Sequence, residues 1–528
     1  MIWLALWLGC APEAAPERPN ILLISLDTVR ADHTSLLRDD RDTTPTLRQL
    51  AAQGTHFSRA FSQANESAYS HGAMLTGRYA SELARPDYET YALPGTADLA
   101  SEVLRAYGYR TAMFSAGGHV DGAFGFDQGW DSFSAEPGFG SLYVTAPKAE
   151  AWITAESGPA PWFVFLHAYD AHRPYVRRGP WDHAWSAGVG SPLAELLASS
   201  PCVSEMVLQD RLYPELVPTW FQHTGGAQVL SLDSYARLRA AAPEASSLRV
   251  PEADAVHVKD HYDGGLLYLD TLLGASLARL QAAGKLENTV VIVVSDHGED
   301  LLDHGFMNHR TGLTDSTTRV PLVAWGPGFS TGAPQEVNGL VEARDIAATL
   351  FGIAGATPPV GSGGRDLRRV AAGEAPLQAV FIEGVMDQLA VRTESHRLVV
   401  SELDLTGDSV AALRALRPGD PRLALYALAE DPAEQNNVSE ANPELTQALL
   451  DQLIAWRAGL ATGSHALSPA AVPEAVAAEL RAHGYWGAAP SPAPSPTPSP
   501  SPGAPAVAAA PDKDLCQDRF TLERLIGR

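Results

Sequence analysis

Short apolar runs that end on polar residues recur along this chain and restrict the folds open to it. The run NILLISLD, which ends at Asp27, has the length and near-continuous apolar character of a strand buried on both faces of a parallel sheet. Similar runs are TAMF, WFVFLHAYD, TVVIVVSD and VPLVAW. Helical patterns lie between such runs, including PTLRQLAAQ, which starts at Pro45 and stops before Gly54. The alternation predicts an α/β fold with a large, mainly parallel central sheet flanked by helices.

Changes in composition divide the 528 residues into further segments. Residues 176–256 are rich in turn residues, which predicts an insertion or lid over a main domain at 19–375. Later strand patterns and a final helix pattern predict a small C-terminal sheet-and-helix subdomain at 376–487. The Pro/Ser/Ala tract at 488–511 cannot build a core and is typical of a solvated linker, which leaves a short tail at 512–528.

The formal net charge of −24 excludes two classes of partner. A strongly acidic surface repels nucleic acid and anionic membranes, so we expect neither as a partner. An anionic substrate must then be attracted by a local site, most simply a bound metal ion. Three cysteines are too few for a disulfide scaffold or a thiolate zinc site.

The N-terminal segment 1–18 resembles a bacterial lipoprotein signal. Its apolar run ends in Leu8-Gly9-Cys10, although no Lys or Arg precedes that run. We therefore expect an exported protein, periplasmic or attached to the outer membrane, whose only link to a membrane is a lipid on Cys10. The alternative is a short apolar tail without a targeting role.

Metal-type side chains follow two of the predicted strands. Asp27 ends the first run, and Asp296 with His297 follows TVVIVVS. Ligands of open α/β sheets bind outside the carboxyl ends of the strands. Each motif alone is also typical of an ordinary turn. Together they predict one site for a divalent ion (Mn, Zn or Ca), and the imidazole favours a transition metal over calcium.

The stretch ANESAYSHGAMLTGRY places Ser67 at or just before the start of a predicted helix. Its hydroxyl would then lie near the positive end of the helix dipole and near free backbone N–H groups. His71 follows four residues later, on the same helix face. Ser67 is thus a candidate nucleophile, and the alternative is that it is only an N-cap serine.

Several segments, in order along the chain, resemble type I sulfatases of the alkaline-phosphatase superfamily. The similarity extends from about Arg18 to Gly487. The segments that carry it are RPNILLISLDTVRADH, TPTLRQLAAQGTHFSRAFSQA, SHGAMLTGRY, GYRTAMF, YDAHRPY, VVSDHGE, RVPLVAWGPG and YALAEDPAEQNNV. The resemblance implies an alkaline-phosphatase-like fold with a smaller C-terminal subdomain. It also implies metal-dependent hydrolysis of sulfate esters, with an anionic ester, glycan-derived or lipid-derived, as the substrate.

The resemblance also assigns roles to individual residues. Asp27, Asp296 and His297 match the metal-binding positions, and Ser67 matches the nucleophile. His71 lies where sulfatases carry an arginine, which implies that it stabilises the transferred group. His172 and His309 match basic residues that contact the ester, which implies that one of them protonates the leaving alcohol.

The chain departs from the family at its nucleophile motif. Sulfatases convert Cys or Ser in a C/S-x-P-x-R motif into formylglycine, whereas this chain has Ser67-Ala68-Tyr69-Ser70-His71, without the Pro and the Arg. Thr28 replaces a second aspartate, and SAGGHV replaces a Gly-Lys-x-His segment, of which His119 remains. Two alternatives stay open: hydrolysis or transfer of phosphate mono- or diesters by an unmodified Ser67, and a catalytically inactive binding homologue.

Overall fold

A computed structural model describes most of the chain between residues 18 and 480. The described residues are 18–83, 92–156, 158–173, 175, 179–181, 184–185, 252–304, 307–310, 312–385, 387–403, 408–460, 476–477 and 480. The predicted N-terminal signal, most of the predicted lid, the linker and the tail lie outside them. No helix among these residues has the length and apolar character that a bilayer crossing requires.

The centre of the molecule is a nine-stranded sheet. Its strands are β1 (Asn20–Leu26), β2 (Thr55–Phe61), β3 (Arg110–Ser115), β4 (Ser132–Ala135), β5 (Trp162–Ala168), β6 (Thr289–Val294), β9 (Arg319–Val320), β10 (Leu322–Trp325) and β11 (Gln335–Glu342). The strand order is β11-β2-β10-β6-β1-β5-β3-β4, and β9 pairs with β2. Most pairs are parallel; β10 runs antiparallel to both of its neighbours, and so does β9 to β2.

Helices cover both faces of this sheet. They are α1 (Pro45–Gln53), α2 (Ser67–Thr76), α3 (Ala80–Leu83), α4 (Ala100–Ala106), α5 (Leu142–Ala155), α6 (Glu252–Ala282), α7 (Asp315–Thr318), α8 (Asp345–Ala354) and α9 (Leu367–Ala371). Three short 3₁₀ helices lie at Ala31–His33, Gly118–Val120 and Gly122–Phe124. Helices α2, α4 and α8 pack on one face, and α1, α5 and α6 pack on the other.

Strand β1 shows how the sequence produces these layers. Because side chains alternate along a strand, Ile21 and Leu23 join the core on one face, whereas Leu22 and Ile24 join the core on the other. All four are at most 1% exposed. A strand that is apolar on both faces therefore becomes a central strand, with β5 and β6 as parallel neighbours.

A second, antiparallel sheet follows. It consists of β12 (Ala379–Gly384), β13 (Gln388–Thr393), β14 (His396–Val400) and β15 (Leu423–Ala427). Helices α10 (Ser409–Ala415) and α11 (Pro443–Gly459) pack together beside it over a separate apolar core. A two-stranded ribbon, β7 (Asp300–Leu301) with β8 (Met307–Asn308), lies beyond β6.

The predicted fold class is confirmed, with a mainly parallel central sheet, flanking helices and a small C-terminal sheet. Helix α1 begins at Pro45 and is capped by Gly54, as its pattern predicts. The domain boundaries at 19–375 and 376–487 stay predictions.

Candidate active site

The carboxyl ends of β6, β1 and β5 lie side by side and bring the predicted ligands together. Asp27 directly follows β1, and its backbone N–H donates to the Ala168 carbonyl at the end of β5, at 2.9 Å. Asp296 and His297 follow the neighbouring strand β6. Residues far apart in sequence thus meet at one edge of the sheet.

Three side chains at this edge offer ligand atoms within 4.8 Å of one another: Asp27, Asp296 and His297. Asp296 Oδ1 accepts from the backbone N–H groups of His297 (2.8 Å) and Thr28 (3.2 Å). His297 Nδ1 donates to the Gly298 carbonyl at 2.9 Å, which leaves Nε2 as the ligand atom.

Two buried carboxylate oxygens in this cluster, Asp27 Oδ1 and Asp296 Oδ2, have no hydrogen-bond partner among the described residues. Burial, and then the adjacent charge of Asp296, raise the pKa of Asp27 well above its ordinary value. A divalent cation would satisfy both oxygens and remove their repulsion. The mixed oxygen and nitrogen donors therefore fit the metal ion that the sequence predicts.

Ser67 lies beside this cluster, at the first residue of α2. Its hydroxyl donates to Asp27 Oδ2 at 2.9 Å and lies 3.3 Å from His297 Nε2. The alternative that Ser67 is the N-cap is wrong, because the N-cap is Glu66. The expectation of free N–H groups also needs correction, since the Glu66 carboxylate accepts from the N–H groups of Ala68 (3.0 Å) and Tyr69 (3.4 Å).

The Glu66 carboxylate is itself held by His119, the histidine of the divergent SAGGHV segment. His119 Nδ1 lies 2.8 Å from Glu66 Oε1, and both side chains are buried. Burial acts to raise the pKa of Glu66, but the charges of His119 and Arg310 lower it to about 2. Glu66 is therefore an anion next to the candidate nucleophile, and His119 is its partner.

His71 lies behind the nucleophile rather than in front of it. The ring is fully buried, with Nδ1 2.7 Å from the Ser67 carbonyl oxygen and Nε2 2.8 Å from Ser25 Oγ. Burial lowers the pKa of His71, so the neutral ring donates from Nδ1 and accepts the Ser25 proton at Nε2. These contacts hold the backbone of Ser67. The predicted role of His71 in stabilising the transferred group stays a prediction.

His172 and His309 extend the cluster outward from the metal ligands. The His309 ring lies 4.3 Å from that of His297, and the His172 ring lies 5.5 Å from that of His309. Glu299 Oε1 contacts His309 Nδ1 at 3.2 Å. Phe139 stacks on His172 at 5.2 Å between ring centroids. The structure therefore brings all seven predicted site residues together, while their catalytic roles stay predictions.

Burial sets the protonation of the outer groups. It lowers the pKa of His309 well below its ordinary value, and the charge of His297 adds to this effect. Burial raises the pKa of Glu299 to about 7, although Arg173 opposes it. His172 Nδ1 donates to the Arg173 carbonyl, which leaves Nε2 as the acid–base atom of that ring.

Sequence reasoning missed several residues of this site. Arg173 and Arg310 each follow a predicted histidine directly, and their charges act on Glu299 and Glu66. Adjacency to His172 and His309 was the available signal. His167 is also part of the site, because its Nε2 lies 3.6 Å from Asp27 Oδ2, although its apolar strand is typical of a core histidine.

Comparison with known proteins identifies the family of this chain. The family model for sulfatases matches residues 19–356. Human arylsulfatase A is 27% identical over 478 residues, which cover 83% of this chain and 87% of that protein.

Two solved structures share the fold. One, in complex with its substrate D-glucosamine-2-N,6-O-disulfate, is 18% identical with a TM-score of 0.64, over 84% of this chain and 98% of that one. The other is a phosphonate monoester hydrolase of Agrobacterium radiobacter, 20% identical with a TM-score of 0.62, over 84% of this chain and 96% of that one. At these identities the likeness shows the fold alone.

Proposed function

The chain belongs to the sulfatase family, whose members hydrolyse sulfuric esters, and from that premise we propose a sulfatase mechanism centred on residue 67. The observation that carries the proposal is the position of the Ser67 hydroxyl. It lies 2.9 Å from Asp27 Oδ2 and 3.3 Å from His297 Nε2, within the cluster that fits a metal ion. No observation favours the phosphate-ester or the inactive alternative.

Asp27, Asp296 and His297 would hold one divalent ion, which polarises the ester oxygens and lowers the pKa of the attacking hydroxyl. The donor set suits Mn or Zn, and Ca less well because of the imidazole. Asp27 Oδ2 receives the proton of the hydroxyl at position 67 as that oxygen bonds to sulfur. His71 keeps the backbone of this residue in place through the Ser67 carbonyl.

The bond from sulfur to the leaving alcohol breaks as the new bond forms. We propose that His172 Nε2 gives the alcohol oxygen its proton; His309 is the second candidate and the weaker acid–base group of the two, because burial lowers its pKa well below the ordinary value. The chain as a whole is strongly acidic and repels an anion, so the bound sulfate needs local positive charge. We propose that the guanidinium groups of Arg173, which is buried, and Arg310 supply it.

Release of sulfate requires a further chemical feature at position 67. A formylglycine hydrate expels sulfate by re-forming its aldehyde, whereas a sulfated serine has no such exit. We therefore propose that turnover of sulfate esters depends on conversion of Ser67 to formylglycine, although the surrounding motif lacks Pro and Arg.

The test joins peptide mass spectrometry with a sulfate-release assay on protein from its native host. A loss of two hydrogens at Ser67 with sulfate release supports the proposal. An unmodified serine that cleaves phosphate esters instead overturns it. The S58A variant is a control, because Ser58 lies on β2, outside the motif at 67–71, and its hydroxyl bonds to Asn338.

For the substrate, we propose a sulfated glycan. Support comes from the solved structure bound to a glucosamine disulfate, which shares the fold. Release of sulfate from a panel of sulfated monosaccharides, with a sulfated sterol as the lipid comparison, tests this class.

For localisation, we propose export and a lipid anchor at Cys10, as in a bacterial lipoprotein. The support is the Leu8-Gly9-Cys10 sequence after an apolar run. The C10A variant should then move from the membrane fraction to the soluble fraction. Membrane association that C10A does not change would overturn this proposal.

A further inference from the structure

Two histidines on α6 form a second nitrogen cluster outside the metal-ligand set. His257 and His261 are one helical turn apart and both are buried. Their Nε2 atoms are hydrogen-bonded to each other at 3.1 Å, so a metal ion would take the place of the shared proton, and the ring centroids are 4.6 Å apart. Residues four apart lie on the same helix face, so the helix itself holds the two rings together.

The separation of the two nitrogens matches the bite of a single metal ion. With metal–nitrogen bonds of about 2.05 Å, two ligands on one ion lie about 2.9 Å apart at a right angle and about 3.3 Å apart at the tetrahedral angle. The observed 3.1 Å lies between these values. We propose that His257 and His261 form a second metal site, for a transition metal such as Zn²⁺, Ni²⁺ or Cu²⁺.

The charged neighbours of the pair on α6 are engaged elsewhere. Lys259 pairs with Asp303, and Asp260 pairs with Arg41 at 2.6 Å. Imidazole nitrogens select borderline metals over Mg²⁺ and Ca²⁺, which require oxygen ligands.

Asp263, one turn beyond Lys259 on α6, also forms its ion pairs with residues outside this helix. It contacts His33 at 2.6 Å, Arg38 at 3.0 Å and Arg41 at 2.8 Å. Among the described residues the pair supplies two ligands, so we expect the second site to bind a metal more weakly than the cluster at the sheet edge.

Metal counting on the full chain, purified without a polyhistidine tag, tests the proposal. After removal of metal and equilibrium dialysis against Zn²⁺, the wild type should hold two equivalents and D296A one. The double variant D296A/H257Q should hold none. Zn²⁺ should also raise the Tm of D296A but not that of D296A/H257Q.

A matched control separates this site from adventitious histidine binding. D296A/H396Q alters a histidine on β14 that bonds to Ser395. This variant should still bind one equivalent of Zn²⁺. Cu²⁺ bound to D296A should give an electron paramagnetic resonance spectrum with coupling to imidazole nitrogen. If D296A binds no Zn²⁺, or if both H257Q and H261Q leave its equivalent in place, the second site does not exist. H261Q serves where H257Q fails to fold, as judged by circular dichroism of the metal-free protein.

Discussion

Two buried charged clusters of this protein differ in how their carboxylates are neutralised. At the sheet edge, all the ion pairs of Asp27 and Asp296 within the described residues are with histidines. Where the small sheet meets the segment after β8, Asp315 contacts Arg397 and lies 3.5 Å from Arg392. Glu434 lies 3.3 Å from Arg397 and accepts from the Asp315 N–H at 2.5 Å. We name Asp315, Arg392, Arg397 and Glu434 the interdomain clamp.

The difference separates a ligand site from a structural one. The arginines of the interdomain clamp neutralise most of the charge of its acids, although Glu434 Oε1 has no hydrogen-bond partner among the described residues. The acids at the sheet edge have no arginine or lysine partner among the described residues and keep two oxygens without hydrogen-bond partners, which a cation would satisfy. Variants of the first cluster should therefore change chemistry, and variants of the second should change stability.

The largest effect is expected at the sheet edge. D296A removes a metal ligand and should lower kcat/KM on the order of 10³-fold or more. The free energy of unfolding of the metal-free protein should change much less, because relief of the repulsion from Asp27 offsets the loss of the hydrogen bonds from the N–H groups of His297 and Thr28. Kinetics and denaturant unfolding measure both, and D98N, at an exposed aspartate, is the control. Near-normal turnover by D296A would remove the basis for the metal site.

The interdomain clamp should respond in the opposite way. R397M removes the main cation from the buried Glu434 and the partly buried Asp315, and should lower the free energy of unfolding by about 3–5 kcal/mol. The exposed pair of Arg422 with Asp420 gives a matched control, for which R422M should cost about 1 kcal/mol or less. Equal losses in the two variants would contradict the distinction between the clusters.

A smaller effect concerns pH. Burial raises the pKa of Glu434 to about 7, despite the opposing charge of Arg397. Between the ordinary glutamate pKa and this value, the folded state binds more protons than the unfolded state, so the free energy of unfolding falls as pH rises from about 4.5 to about 7. E434Q should flatten this part of the profile in denaturant titrations at several pH values. E394Q, at an exposed glutamate on the surface, should leave the profile as it is.

The smallest effect is expected behind the nucleophile. S25A removes the hydroxyl that donates to His71. The loss of this hydrogen bond should raise the activation free energy by about 1 kcal/mol, which lowers kcat/KM about fivefold. S58A removes a buried hydroxyl that bonds to Asn338 far from the metal ligands, and should leave kcat/KM unchanged. A loss for S58A equal to that for S25A would show that Ser25 acts only through general stability.

The sequence predicts those parts of the fold that have a simple apolar pattern. Strands β1 and β6 are buried on both faces, and their apolar runs end directly on the metal-type residues. The apolar pattern alone therefore predicts that Asp27 and Asp296 lie at the C-terminal ends of two strands.

The strand β2 has no such pattern. Its buried residues include the polar side chains of Thr55, His56 and Ser58. The segment after α1 therefore lacks the apolar run that would predict a buried strand. The N-cap at Glu66 and the role of Arg173 were likewise hidden. They depend on contacts between segments that no local spacing encodes.

The position of β1 in the middle of the sheet also has a consequence for the order of folding. This strand is synthesised first, but its neighbours begin only at Trp162 and Thr289. Its apolar residues must stay unpaired while most of the main domain emerges from the ribosome, and such late, long-range pairing folds slowly. Both neighbours of β1 can therefore be in place only after Thr289–Val294 has been synthesised.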